Sequence, residues 1–116
     1  MKDVCTPSQI VMITLRKIIE ETQHSKGKYI SFRTGKLVTE VANCLGQSCS
    51  QALIRYIVRH VLDTLCQVLV CTKYDTSRGF VYSFSRETLL NADINKLAEL
   101  CLGTCIRLSD TSGEVP

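Results

Sequence analysis

Apolar positions along this chain recur first at a helical period, then at a strand period, then at a helical period again. Val11, Leu15, Ile18 and Ile19 stand at helical spacing, with Arg16, Lys17, Glu20 and Glu21 between them. Thr6-Pro7-Ser8-Gln9 supplies the start: Thr6 as cap, Pro7 at the first helical position and Gln9 to complete a capping box. This helix is expected to fade near His24, before Ser25-Lys26-Gly27-Lys28. Tyr29-Ile30-Ser31-Phe32 is short enough to be an edge strand or the lead-in to a helix. A second helix, with Thr34 as its expected cap, carries the stripe Leu37, Val38, Val41, Cys44 and Leu45. Gly46 then takes the left-handed position after it. A third helix is expected to open at the capping box Ser48-Cys49-Ser50-Gln51, with Leu53, Ile54, Ile57, Val58, Val61, Leu62 and Leu65 on a broad apolar face.

The period then shortens. Val68 to Tyr74 is apolar and β-branched, and Phe80-Val81-Tyr82-Ser83-Phe84 alternates. The turn cluster Asp75-Thr76-Ser77-Arg78-Gly79 between them predicts a β-hairpin. Ser85 is a cap for a last helix, about residues 86–105, with Glu87 in its first turn. Its stripe is Leu90, Ile94, Leu97, Cys101 and Cys105, widened by Leu89, Leu100 and Leu102, and Gly103 weakens or ends it. Ser109 to Pro116 is small, polar and without periodicity. The expected organisation is a single domain over 1–108 and a flexible tail over 109–116, in an α+β, mostly α fold.

Composition narrows the class. A chain of 116 residues with 45% hydrophobic and 22% charged residues can bury a core without metals or disulfides. The net charge of +3 is unevenly spread. Residues 1–86 hold 12 Lys/Arg against 6 Asp/Glu, and residues 87–116 hold 2 against 5. A basic body with an acidic end suits a polyanion-binding face turned away from a different C-terminal surface. No export signal and no apolar run approaching the ~20 residues of a membrane span is legible, so a cytoplasmic protein without membrane contact is expected. Of the seven cysteines, all but Cys5 lie in apolar-periodic segments. Two readings stay open: small buried hydrophobes, or disulfides of the kind that persist in hyperthermophilic archaeal cytosols. The odd number would leave one thiol free or paired between subunits.

The order helix, short strand, helix, tight turn, helix, hairpin, helix resembles the winged helix-turn-helix family of archaeal and bacterial transcription regulators and small archaeal virus proteins. Leu37-Val38-Thr39-Glu40-Val41-Ala42, then Gly46, then Ser48 to Leu62 carry the likeness, which covers Thr6 to about Arg86. The resemblance implies sequence-specific binding of double-stranded DNA, with the third helix in the major groove. Ser48, Gln51, Arg55 and Arg59 would form its polar stripe, flanked by Gln47 and Ser50. Gln pairs bidentately with adenine, and Arg with guanine. Lys73, Thr76, Ser77 and Arg78, expected at the hairpin tip, would be the wing contacts to the phosphate backbone or minor groove. Arg33, Thr34 and Lys36 would meet phosphate at the start of the second helix. The terminal helix, through Leu90, Ile94, Leu97 and Cys101, would make a homodimer that reads two half-sites.

No constellation in the chain points to catalysis, and neither cofactor nor metal is expected. The cysteine spacings, Cys44-x4-Cys49, Cys66-x4-Cys71 and Cys101-x3-Cys105, contain no zinc knuckle and no CxxC. His24 and His60 are the only histidines, and there is no Gly-rich phosphate loop. Two alternatives to a DNA-binding regulator are a winged-helix protein-interaction module and a regulator switched by a cysteine pair.

Overall fold

The computed structural model describes residues 6–46 and 49–113. Thr6 opens helix α1, Pro7–His24, through the expected reciprocal cap. Its Oγ1 accepts from the Gln9 N–H at 3.1 Å, and Gln9 Oε1 accepts from the Thr6 N–H at 3.2 Å. Ile10, Val11, Leu15 and Ile18 bury the helix's apolar face. Thr14 and Thr22 are buried beside them, and their hydroxyls donate to the carbonyls of Ile10 and Ile18. That return to the helix's own backbone removes the cost of burying two hydroxyls. At the far end Arg86 Nε donates to the Thr22 carbonyl and to Ser25 Oγ, a cation at a helix C-terminus.

Strand β1, Tyr29–Arg33, runs straight into helix α2, Thr34–Leu45. The expected cap at Thr34 is not formed. Arg33, still extended as the last residue of β1, occupies the capping position without a side-chain hydrogen bond. Thr34 is therefore already helical, and its hydroxyl is buried with no hydrogen-bond partner among the described residues. Gly46 ends α2 at a φ of 80°, which favours glycine, and returns its N–H to the Ala42 carbonyl.

Helix α3, Gln51–Val68, starts later than the sequence suggests. Ser50, not Ser48, is its cap: Ser50 Oγ accepts from the Leu53 N–H, the third residue in. Ser50 stands three residues before Leu53, which puts Gln51 at the first helical position. Gln47 and Ser48 lie outside the described residues. Ile54, Ile57, Val58, Val61, Leu62 and Leu65 are buried as expected.

The hairpin is strands β2, Cys71–Thr76, and β3, Gly79–Ser85. Its turn is tighter than the cluster Asp75 to Gly79 suggested, with only Ser77 and Arg78 between the strands. β3 is the centre of an antiparallel sheet of order β1-β3-β2, so Tyr29–Arg33 is an edge strand rather than a mere lead-in. Phe32 pairs with Tyr82, and Lys73 pairs with Tyr82 from the other side. The inner face of the sheet presents Phe32, Tyr82 and Phe84, all buried. Phe32 and Phe84 meet edge to face at 6.1 Å. The outer face exposes Tyr29 and Tyr74. A disulfide joins Cys66 at the end of α3 to Cys71 at the start of β2, with Cα atoms 5.0 Å apart. Cys49 is also disulfide-bonded, whereas Cys44 is an exposed thiol.

The expected single last helix is two. Helix α4, Arg86–Leu90, is capped by Ser85, and helix α5 runs Ile94–Gly113. Asp93 restarts the chain: its Oδ1 accepts from the N–H groups of Asn95 and Lys96, the geometry of a fresh N-terminal cap. α5 passes through the stretch from Ser109 that carries no periodicity in sequence. Leu97, Ala98 and Cys101 join the core that α5 shares with α1 and α3. The class is therefore α+β and mostly helical. Among the described residues no helix is long and apolar enough to cross a membrane.

Two outcomes are expected in chemical denaturation. Phe84→Ala, at a fully buried position of the central strand, should lower stability by about 3–5 kcal/mol. Reducing the short Cys66–Cys71 loop should lower it by about 2 kcal/mol, on a loop-entropy account.

Candidate nucleic-acid interface

α3 is amphipathic because its apolar residues repeat at three and four, and what they leave uncovered is one wet face. Gln51, Arg55 and Arg59 lie exposed on it, each four residues after the last. Ala52 and Tyr56 continue the same face to one side, and Tyr56 is 54% exposed. An open groove of about 550 Å³ runs along this face, lined by Ala52, Arg55, Tyr56, Arg59, His60 and Asp63. His60 closes its far wall: its Nε2 donates to the Cys101 carbonyl at 3.1 Å and so fixes α3 to α5. Tyr56 and Asp63 were absent from the expected site. Tyr56 could have been found as the large apolar residue that the buried repeat skips, and Asp63 as the next four-residue step after Arg59.

Asp63 is not a bare charge. Its Oδ1 accepts from Lys73 Nζ at 2.9 Å and from the Tyr82 hydroxyl at 2.6 Å. Lys73 Nζ also lies over the rings of Phe80 and Tyr82, 4.3 Å and 5.3 Å from their centroids. Lys73 is thus not at the hairpin tip, where the sequence placed it. It sits three residues before the last residue of β2, on the face turned to α3, because alternate strand residues share a face. The hydrogen bond to Asp63 raises the Lys73 ammonium pKa above its ordinary value, against the cost of desolvation. Burial first, and the Asp63 carboxylate second, raise the Tyr82 phenol.

The tip itself is Ser77 and Arg78, both exposed. Thr76 is spent on forming the turn: its hydroxyl donates to the Gly79 carbonyl at 2.6 Å and accepts from the Arg78 N–H at 3.2 Å. Gly79 follows at a φ of 105°. At the start of α2, Arg33 and Lys36 are exposed while the Thr34 hydroxyl is buried. Arg33 and Lys36 share a cleft of about 230 Å³ with Glu21 and Glu40, so carboxylates accompany those cations. Ser50 is exposed, with its oxygen committed to the cap.

The residues expected at a dimer surface divide. Leu97 and Cys101 are buried in the chain's own core, whereas Leu90 is exposed and Ile94 partly so. The break at Asn91 to Asp93 is the reason, since it takes Leu90 out of phase with the α5 stripe. Among the described residues no group of His, Cys, Asp or Glu side chains is placed to hold a metal ion. No protein-family model, no curated protein and no solved structure matches the chain.

Lys73 and Tyr82 both hold their protons more tightly in the folded chain than in the unfolded one. The stability they contribute is complete below their unfolded pKa values of about 10. It is lost as pH rises through the raised folded values. Stability measured by urea unfolding should therefore fall as pH rises above about 10, relative to pH 8. Asp63→Asn, which removes the partner of both groups, should make that fall shallower.

Proposed function

We propose that α2, α3 and the β2–β3 hairpin form a winged helix-turn-helix, and that the protein binds double-stranded DNA in a sequence-dependent way. On this reading α3 enters the major groove and the hairpin is the wing. The observation that carries it is the line of exposed Gln51, Arg55 and Arg59 on a helix whose opposite face is buried. Gln and Arg are the side chains that pair bidentately with adenine and guanine edges. Arg78, exposed at the tip of the hairpin that follows α3, supports a phosphate or minor-groove contact. The element order and the sheet order β1-β3-β2 suit the same arrangement. The protein would act as a transcription regulator by occupying a site, with no chemistry of its own. Exposed Leu90 and half-buried Ile94 support a homodimer that reads two half-sites, whereas buried Leu97 and Cys101 do not.

A protein-interaction module is the second reading. Tyr29, Val70 and Tyr74, exposed together at the outer side of the sheet, favour it.

Duplexes selected from a random pool, titrated by fluorescence anisotropy across a salt series, test the first reading. Arg55→Ala and Arg59→Ala should each cost about 1–3 kcal/mol of binding and relax the sequence preference. Arg78→Ala should weaken all duplexes about equally and lower the salt slope by about 1. A folded Arg55→Ala/Arg59→Ala protein that binds duplex with unchanged affinity and salt slope would refute the groove assignment.

A further inference from the structure

Asp63 is the one acid in the run that continues Gln51, Arg55 and Arg59 along α3. It lines the same groove as both arginines. A carboxylate at that place opposes a phosphate ligand. At a separation of about 7 Å and an effective dielectric of about 40, one such repulsion is worth roughly tenfold in affinity. The hairpin delivers the remedy. Lys73 Nζ and the Tyr82 hydroxyl, from neighbouring strands, converge on the same carboxylate oxygen. Phe80 and Tyr82 hold the ammonium from below. A second tie runs alongside. Cys66 is one turn beyond Asp63 on α3, and Cys71 shares a face of β2 with Lys73 two residues on.

We propose that Lys73 is a positioning residue and not a phosphate contact: it neutralises Asp63 within the DNA-facing stripe and clamps the hairpin to α3. The proposal rests on the DNA-binding reading above. It assigns Lys73 a role opposite to the one its charge suggests, since its ammonium is held on Asp63 and beside two aromatic rings. The clamp also sets the spacing between the two contacting parts, the α3 stripe and the tip at Arg78. The ion pair is partly exposed, so its removal should change the melting temperature little. Its removal should change DNA affinity far more, because it leaves a bare carboxylate facing phosphate.

The test uses the full chain, with duplex DNA titrated at several salt concentrations. Lys73→Gln should weaken binding about tenfold. Asp63→Asn should bind more tightly than the parent protein, because a negative charge leaves the face. The double variant should recover at least most of the Lys73→Gln loss with an undiminished salt slope, and Lys73→Arg should bind several-fold tighter than Lys73→Gln. Circular dichroism and melting curves on each variant separate lost binding from lost folding, and the double variant carries no unpaired charge. If the double variant stays as weak as Lys73→Gln and its salt slope drops by about 1, Lys73 is a direct phosphate contact and the proposal is overturned. An unaltered affinity in folded Lys73→Gln overturns it too. A parent protein that binds no duplex at all brings down the DNA reading itself, and this inference with it.

Discussion

Tyr82 joins the two halves of the molecule's physics. Its ring has no exposure and packs on the inner face of the sheet, while its hydroxyl reaches Asp63 at the border of α3's wet face. A buried phenol must find a partner for that hydroxyl, and a partner with a carboxylate is a strong one. The constraint acts in both directions. The ring can be buried only where the hydroxyl has an acceptor, and Asp63 presents less negative charge to the groove where donors pair with it. Lys73 supplies the second donor from the neighbouring strand. The position of the hairpin on α3 is thus set by a polar contact at the edge of the apolar core. Burial supplies most of the energy, and the contact supplies the register.

Around this contact the core is assembled in a few steps. α1, α2 and α3 bury their stripes together, and β3 lays Tyr82 and Phe84 beneath them. β1 extends the sheet on one side and passes directly into α2, which ties the start of that helix to the sheet. α5 closes the remaining face, with Cys101 buried and its carbonyl bonded to His60. The exposed face of α3 is consequently backed by α1, α2, α5 and the hairpin, a setting in which side chains can be held in fixed positions.

Much of the fold was legible in the chain. The stripes of α1 and α3, that of α2 apart from the exposed Cys44, and the caps at Thr6 and Ser85 are local features, and local features survive into the structure. The errors share a different cause. Ser48 and Ser50 are both cap residues by type, two positions apart, and the spacing of residue types does not choose between them; Ser50 is the cap. Thr34 loses its cap because β1 pairs with β3, a contact some 50 residues away in sequence. The break at Asn91 to Asp93 was available in the Asp and Asn residues themselves, but the apolar period on either side concealed it. The candidate site was legible in part. Gln51, Arg55, Arg59 and Arg78 are exposed as read. Lys73 was misplaced because a charged residue near a turn is ordinarily solvated, and its true partner lies ten residues back on another element. Thr76 has a use that residue type alone does not show: the turn engages its hydroxyl twice.

The connector between α3 and β2 has a fixed length for a geometric reason. Cys66 with Cys71, and Asp63 with Lys73, cross the same short span of Gln67 to Val70. β2 keeps its face and register through its pairing with β3 across the two-residue turn, so a residue added or removed in the connector would change the path from α3 to β2 and disturb both ties together. The helix and the strands would themselves stay intact. Beyond Lys73 no such constraint holds, and residues can be added at Ser77 and Arg78 without touching either tie. The hairpin is therefore a part whose reach is adjustable at its tip and whose distance from α3 is fixed at its root.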